Sequence, residues 1–173
     1  MRNIPLENIS YIGADIVGQI IQQNQDKYGK KNISFRKLDL IRDELPKTDV
    51  ILCRDCIVHL SFDDALKALL NICRSKSTYL LTTTFTQRSM NTDIITGQWR
   101  TLNLQVSPFE FSSPLRVINE ECTEWNGAFP DKSLGLWRIK DIEESLTNKV
   151  RDLMKYRFNG KRQVNHTLQN FML

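Results

Sequence analysis

Short apolar runs alternate along this chain with stretches in which apolar residues recur at helical spacing, and that alternation predicts an α/β fold. Tyr11-Ile12-Gly13-Ala14 reads as a buried strand closed by Asp15. Val17, Ile20, Ile21 and Tyr28 then keep helical register, and Gly29 suits a helix C-terminus. Ile33, Phe35 and Leu38 suggest a second strand ending at Asp39, and Val50-Ile51-Leu52 a third between Asp49 and Arg54-Asp55. Ser61-Phe62-Asp63-Asp64 resembles a capping box with Asp64 in the place of Glu or Gln. It opens a helix with Leu66, Leu69, Leu70 and Cys73 on one face. Tyr79-Leu80-Leu81 runs into Thr82-Thr83-Thr84, a β-branched fourth strand.

From about Thr86 to Pro114 the pattern is irregular, and a loop of that length inside a compact domain is usually functional or mobile. Arg116–Asn119 and Leu134–Ile139 read as two late strands, paired with each other. From Asp141 to about Phe158 the helical pattern returns, with Ile142, Leu146, Val150 and Leu153 in register. After Gly160 the chain is polar until Phe171-Met172-Leu173, a solvated or partly docked tail. The expected division is one domain over 1–140 and a C-terminal helix and tail over 141–173.

With 40% hydrophobic and 25% charged residues, the 173-residue chain has an ordinary globular composition. No apolar run approaches the roughly 20 residues that span a bilayer, so no membrane partner is expected. Met1 to Ser10 lacks the apolar region of an export signal. Four cysteines without such a signal suggest free thiols in a reducing, cytoplasmic setting. The net charge of +4 is mild and gathers in the last thirty-odd residues, which gives no clear nucleic-acid signature.

Ligands of open parallel sheets gather at the carboxyl ends of strands, and three such ends are polar here: Asp15, Asp39 and Cys53-Arg54-Asp55. A carboxylate closing a strand can accept both hydroxyls of a ribose, and a second can accept from the exocyclic amine of an adenine. Cys53-Arg54-Asp55-Cys56 is also a C-x-x-C, which can mark a thiol oxidoreductase. The next helix begins only around Ser61, however, so the first thiol has no helix N-terminus to acidify it. Cys53, Cys56 and His59 could begin a zinc site, although Cys73, Cys122 and His166 lack a paired spacing. Trp99, Phe109 and Phe111 are candidates for lining an acceptor pocket. Trp99-Arg100 and Trp137-Arg138 read more readily as core plus rim than as base-stacking pairs.

Taken in order, these blocks resemble the class I S-adenosylmethionine-dependent methyltransferases. Tyr-Ile-Gly-Ala-Asp-Ile-Val at 11–17 is similar to the family's second strand with its terminal acid. Asp39-Leu40, Leu45-Pro46 and Asp49-Val50-Ile51-Leu52-Cys53-Arg54-Asp55 are similar to the third and fourth strands, and His59-Leu60-Ser61-Phe62 to the start of the next helix. Trp99-Arg100-Thr101-Leu102-Asn103-Leu104 and Asp131-Lys132-Ser133-Leu134-Gly135-Leu136-Trp137-Arg138 resemble a bacterial subgroup with no assigned acceptor. The likeness covers about residues 9–142.

The resemblance implies an incomplete Rossmann-like sheet, mostly parallel with a late strand pair, and S-adenosylmethionine as cofactor. Asp15 would hold its ribose, Asp39 with the Leu40 amide its adenine, and Cys53 would line it. Arg54 and Asp55 would lie near the methionine end or the reacting methyl. Asp55 and His59 are the catalytic candidates, and Trp99 and Arg100 the acceptor contacts. Family members begin with a strand and a glycine-rich turn, and Met1 to Ser10 holds no Gly-x-Gly. The expectation is therefore a truncated sheet lacking its first strand, the one that lies between the Asp15 and Leu52 strands. The implied activity is methyl transfer to an unknown acceptor, impaired by that lack. The alternatives are a non-catalytic remnant that binds through an exposed sheet edge, and the C-x-x-C thiol oxidoreductase.

Overall fold

The computed structural model describes residues 8–148. In chain order the elements are β1 (Tyr11–Asp15), α1 (Gly18–Tyr28), β2 (Ile33–Lys37), β3 (Val50–Cys53), α2 (Phe62–Arg74), β4 (Tyr79–Phe85), β5 (Arg116–Asn119) and β6 (Lys132–Arg138). A single 3-10 turn, Ile57–His59, precedes α2, and residues 139–148 are helical. The expected tail lies outside the described residues. The helix runs across the 140/141 division, and its Ile142 and Leu146 join the core, so residues 141–148 pack with what precedes them.

The strands form two hydrogen-bonded sheets. β1 and β2 pair in parallel, Tyr11 opposite Ile33 through Asp15 opposite Lys37. The other sheet has the order β3-β4-β6-β5. Its β3 and β4 are parallel, with Cys53 opposite Thr82, whereas β6 is antiparallel to both β4 and β5. The two late strands pair as expected. One expectation is corrected: Asp15, Asp39 and Cys53 do not edge a single sheet, because β1 and β3 exchange no ladder bonds.

The four-stranded sheet carries the core, and its sequence explains why. β4 is covered on both faces, with Leu80, Thr82, Thr83, Thr84 and Phe85 all buried, as a central strand requires. On α2, Ala65, Ala68, Leu69, Ile72 and Cys73 are buried, a spacing that turns one face of the helix to the sheet. The Ser61 hydroxyl accepts from the Asp64 amide (3.2 Å), and Asp63 and Asp64 favour the positive end of the helix dipole. Lys76, at φ 55°, reverses the chain just after the helix.

The segment between β4 and β5 is ordered and largely internal. Leu102, Leu104, Phe109 and Phe111 are buried, and the amides of Phe85 and Phe111 donate to the Leu102 and Leu104 carbonyls. Asn91 and Asn103 stitch it: the Asn91 amide group donates to the carbonyls of Asn103 (2.8 Å) and Ser107 (2.9 Å) and accepts from the Asn103 N–H (2.8 Å). The expectation that Phe109 and Phe111 line a pocket is corrected here. Phe109 packs edge-to-face on Phe62 and Phe111 on Trp137, so hydrophobic burial commits both rings to the core.

Candidate functional site

Because the strands within each sheet's parallel pair run together, their carboxyl ends meet at one edge. Asp15 closes β1, and its Oδ1 accepts from the Val17 amide (2.8 Å), an Asx turn that leads into α1 without another side-chain cap. Asp39 follows β2 by two residues. Its Oδ1 accepts from the Ile41 amide (2.8 Å), and its own amide donates to Asp43 (2.8 Å). Leu40 packs against the core, and its carbonyl accepts from the Asn71 side chain of α2 (2.9 Å), which pins the Asp39 turn to the larger sheet. Cys53 lowers the Cys56 thiol, and the charge of the Asp15 carboxylate raises it slightly against that larger effect.

The turn that follows β3 is built by a residue in an unfavourable backbone region. Asp55 has φ 51°, and its amide donates to the Thr83 hydroxyl (2.8 Å) on the neighbouring strand. Buried Lys132, at the start of β6, donates to Asp55 Oδ2 (3.0 Å) and reaches Glu124 (3.4 Å) and Glu120 (4.0 Å). Arg54 completes the network through its own ion pair with Glu120. Burial pulls the Lys132 ammonium down, but the hydrogen bond and charge of Asp55, with Glu124 and Glu120, outweigh it and hold its pKa above the ordinary value. Glu120 likewise raises the Arg54 guanidinium. The strand end therefore carries a fixed carboxylate backed by a permanent cation.

His59 sits at the end of the 3-10 turn. Its Nδ1 donates to the Gln98 carbonyl (2.9 Å), the assignment that a carbonyl partner dictates, and this leaves Nε2 as an acceptor. Next along the strap from Gln98, Trp99 is half exposed and meets Phe129 and Phe85 edge-to-face, at centroid distances of 5.0 and 6.1 Å. Phe85 stands opposite Lys132 in the β4–β6 register, so the aromatic trio and the ionic network share one face of the sheet.

Arg100 turns the other way. It is buried, donates to the Leu60 carbonyl and stacks over Phe62 at 4.9 Å, and burial lowers its pKa. The sequence joined Trp99 and Arg100 as acceptor contacts; the structure presents Trp99 at the surface and uses Arg100 as an internal strut. Lys132, Glu120 and Thr83 were not singled out from the sequence, and their bonds to Arg54 and Asp55 join residues 28 to 77 positions apart. A surface cleft lined by Arg42, Glu44, Leu45, Pro46 and Arg74 is formed by residues that precede β3 and β4, away from this edge. Among the described residues, no group of three or more His, Cys, Asp or Glu side chains is placed to hold a metal ion, and no helix is long and apolar enough to cross a membrane.

No family model and no curated protein matches the chain. Solved structures do. The N-methyltransferase NodS from Bradyrhizobium japonicum WM9 superposes with a TM-score of 0.51 at 13% identity, over 73% of this chain and 71% of that one. LepI, solved in complex with SAM, gives 0.52 at 13% identity over 79% and 37%. PigF, solved with SAH, gives 0.51 at 16% identity over 75% and 43%. The chain has the class I methyltransferase fold. It spans less than half the length of the PigF and LepI chains. Asp15 and Cys53 end the strands β1 and β3, and Asp39 lies two residues beyond the end of β2.

Proposed function

We propose that the chain is a S-adenosylmethionine-dependent methyltransferase domain whose cofactor lies along the carboxyl ends of β1, β2 and β3. What supports this reading is the methyltransferase fold, together with Asp15 and Cys53 at the carboxyl ends of β1 and β3 and Asp39 two residues beyond β2. The donor set fits the group. Asp15 uses Oδ1 in its own turn, which leaves Oδ2 for the ribose hydroxyls. Asp39, with the Leu40 backbone, stands where an adenine amine would find an acceptor, and buried Cys53 supplies an apolar wall. Arg54 and Asp55 face the methionine end.

Bound there, the cofactor supplies an electrophilic methyl group. Holding an acceptor in line with it is chiefly a matter of position, with a base for acceptors that must lose a proton. His59 offers Nε2 as that base, because Gln98 occupies Nδ1. Asp55, fixed by Lys132 and Thr83, orients the acceptor or its developing charge. Trp99, with Phe129 behind it, offers a flat apolar face on the acceptor side.

Loss of a charged acceptor for two hydroxyls makes Asp15→Ala weaken S-adenosylhomocysteine binding by about 2–4 kcal/mol. Calorimetry on the two proteins checks this, and unchanged affinity removes Asp15 from the site. A second reading is favoured by one specific observation. Among the described residues, β1 and β3 each have a strand partner on one side only, and Val50 and Leu52 of β3 are half exposed. A chain that binds no S-adenosyl ligand yet captures an apolar strand at those edges is a binding module.

A further inference from the structure

We propose that Cys53 and Cys56 form a redox modification site, at which a peroxide joins the two sulfurs in a disulfide that displaces the turn carrying Arg54 and Asp55. The consequence for cofactor binding rests on the methyltransferase reading; the disulfide itself does not.

The geometry brings the pair together. Cys53 ends β3, buried, with its carbonyl held by the Thr82 hydroxyl (2.8 Å). Residues 54 and 55 then form a tight turn, with Asp55 in the left-handed region, which sets Cys53 and Cys56 at its first and fourth positions. Each thiol shifts the titration of the other, as neighbours across a four-residue turn do. Cys56 is partly exposed and Cys53 is not, which divides the roles. The outer thiol can meet a small oxidant, while the inner one waits in contact behind it.

Electrostatics assign the same order. The hydrogen bond from Cys53 lowers the Cys56 thiol, against burial and the opposing charge of Asp15. The same bond, with burial, pushes the Cys53 thiol well up. Cys56, the more exposed of the two, is thus the thiolate that attacks, and Cys53 the thiol that resolves. The other two thiols offer no such pairing. Cys73 is buried with its pKa pushed up to about 11, and Cys122 lies against the Glu124 carboxylate (3.7 Å).

The steps balance. Cys56 thiolate attacks one oxygen of hydrogen peroxide, the O–O bond breaks, and the departing hydroxide takes a proton to leave as water. Cys53 sulfur then attacks the Cys56 sulfenic acid. The S–S bond forms, the S–O bond breaks, and the second water leaves with the Cys53 proton. Two electrons pass from the sulfurs to the peroxide. A disulfide holds its sulfurs about 2.05 Å apart. Reaching that distance draws Cys56 onto the strand end, which breaks the fit of the Asp55 amide to Thr83 and of its carboxylate to Lys132.

The chain carries its own mass-spectrometric reporter, because trypsin cuts after Arg54, between the two cysteines. The full chain is treated with a small excess of hydrogen peroxide, blocked with N-ethylmaleimide and digested. The expected product is the peptide ending at Arg54 joined to the peptide beginning at Asp55, and dithiothreitol separates them. In Cys53→Ser, Cys56 is expected as a sulfenic acid captured by dimedone; in Cys56→Ser, Cys53 stays reduced. Both thiols recovered singly with maleimide, or a disulfide to Cys122, overturns the proposal. Amide exchange reads the displacement: the Asp55 and Cys56 amides are expected to exchange faster in the oxidised chain, and unchanged exchange overturns that part. Calorimetry with S-adenosylhomocysteine separates the two readings. Binding by the reduced chain that is largely lost on oxidation supports both. A reduced chain that does not bind, but forms the disulfide and loosens the turn, sustains this site and removes the methyltransferase reading.

Discussion

The β1–α1–β2 unit and the β3–β4–β6–β5 sheet are built from similar secondary structure, yet they bury very different amounts of it. Over Ile9 to Lys37 only Gly13 is buried, α1 has no buried residue, and Ile16, Val17 and Ile20 stand largely exposed. In the larger sheet, β4, α2, the strap over 86–114 and the helix at 139–148 share one continuous apolar cluster. The difference shows that satisfied hydrogen bonds define an element, whereas the burial of apolar surface decides whether it is held in place. The smaller unit joins the larger through the Asp39–Leu45 turn, with Asn71 bonded to the Leu40 and Asp43 carbonyls and Leu40 and Leu45 packed on the core. Asp15 therefore rides on the weakly anchored unit, and Asp55 on the strongly anchored one.

Truncating one apolar side chain in each unit tests that contrast most sharply. Trp137 is fully buried, packs on Phe111 at 5.6 Å and donates to the Ser112 carbonyl (2.8 Å). Trp137→Ala is expected to cost about 3–5 kcal/mol in urea unfolding, against less than about 1 kcal/mol for Ile20→Ala. Equal costs would mean that α1 has a partner surface of its own.

Alkaline pH acts next, through a buried thiol of the larger unit. Cys73 lies buried on α2, and burial raises its thiol from 9.0 to about 11, with Glu143 adding to the shift. The unfolded chain then loses its proton first. The sign follows: stability is unaffected below pH 9 and falls as pH rises from 9 toward 11, by up to roughly 2–3 kcal/mol at 1.36 kcal/mol per pH unit. Cys73→Ala is expected to flatten the alkaline arm of a stability–pH curve. An identical arm in both proteins assigns the loss elsewhere.

Two glycines give the finest comparison. A Cβ at Gly135 would come within 2.2 Å of the Trp137 ring, and one at Gly13 within 2.5 Å of Phe35. The steric conflict is alike but the surroundings are not. Trp137 is locked in the core, so Gly135→Ala is expected to cost about 1–3 kcal/mol. Phe35 is only partly buried and can swing aside, which leaves Gly13→Ala below about 1 kcal/mol. Thermal melts of the two variants rank them, and a larger loss at Gly13 would reverse the account of how the units are held.

The strands, both long helices and the strand-end positions of Asp15 and Cys53 were legible in the sequence, because hydrophobic periodicity and turn residues are local properties, whereas Asp39, expected to close β2, lies two residues beyond it. The capping residue Ser61 was legible for the same reason. What lay beyond reach was every relation across the chain. The inward turn of Phe109 and Phe111 depended on a strap that polar residues such as Asn91 and Asn103 fold against the core. Lys132 lay two residues before the expected strand, with no role read for it. Only the β4–β6 register and the reversal at Asp55 placed its ammonium against a carboxylate 77 positions away. Sequence thus determined which segments are strand and helix and which strand ends carry acids. Tertiary structure alone decided which of those ends face one another and which charges meet, since both follow from packing a shared core, and packing is a property of the whole chain.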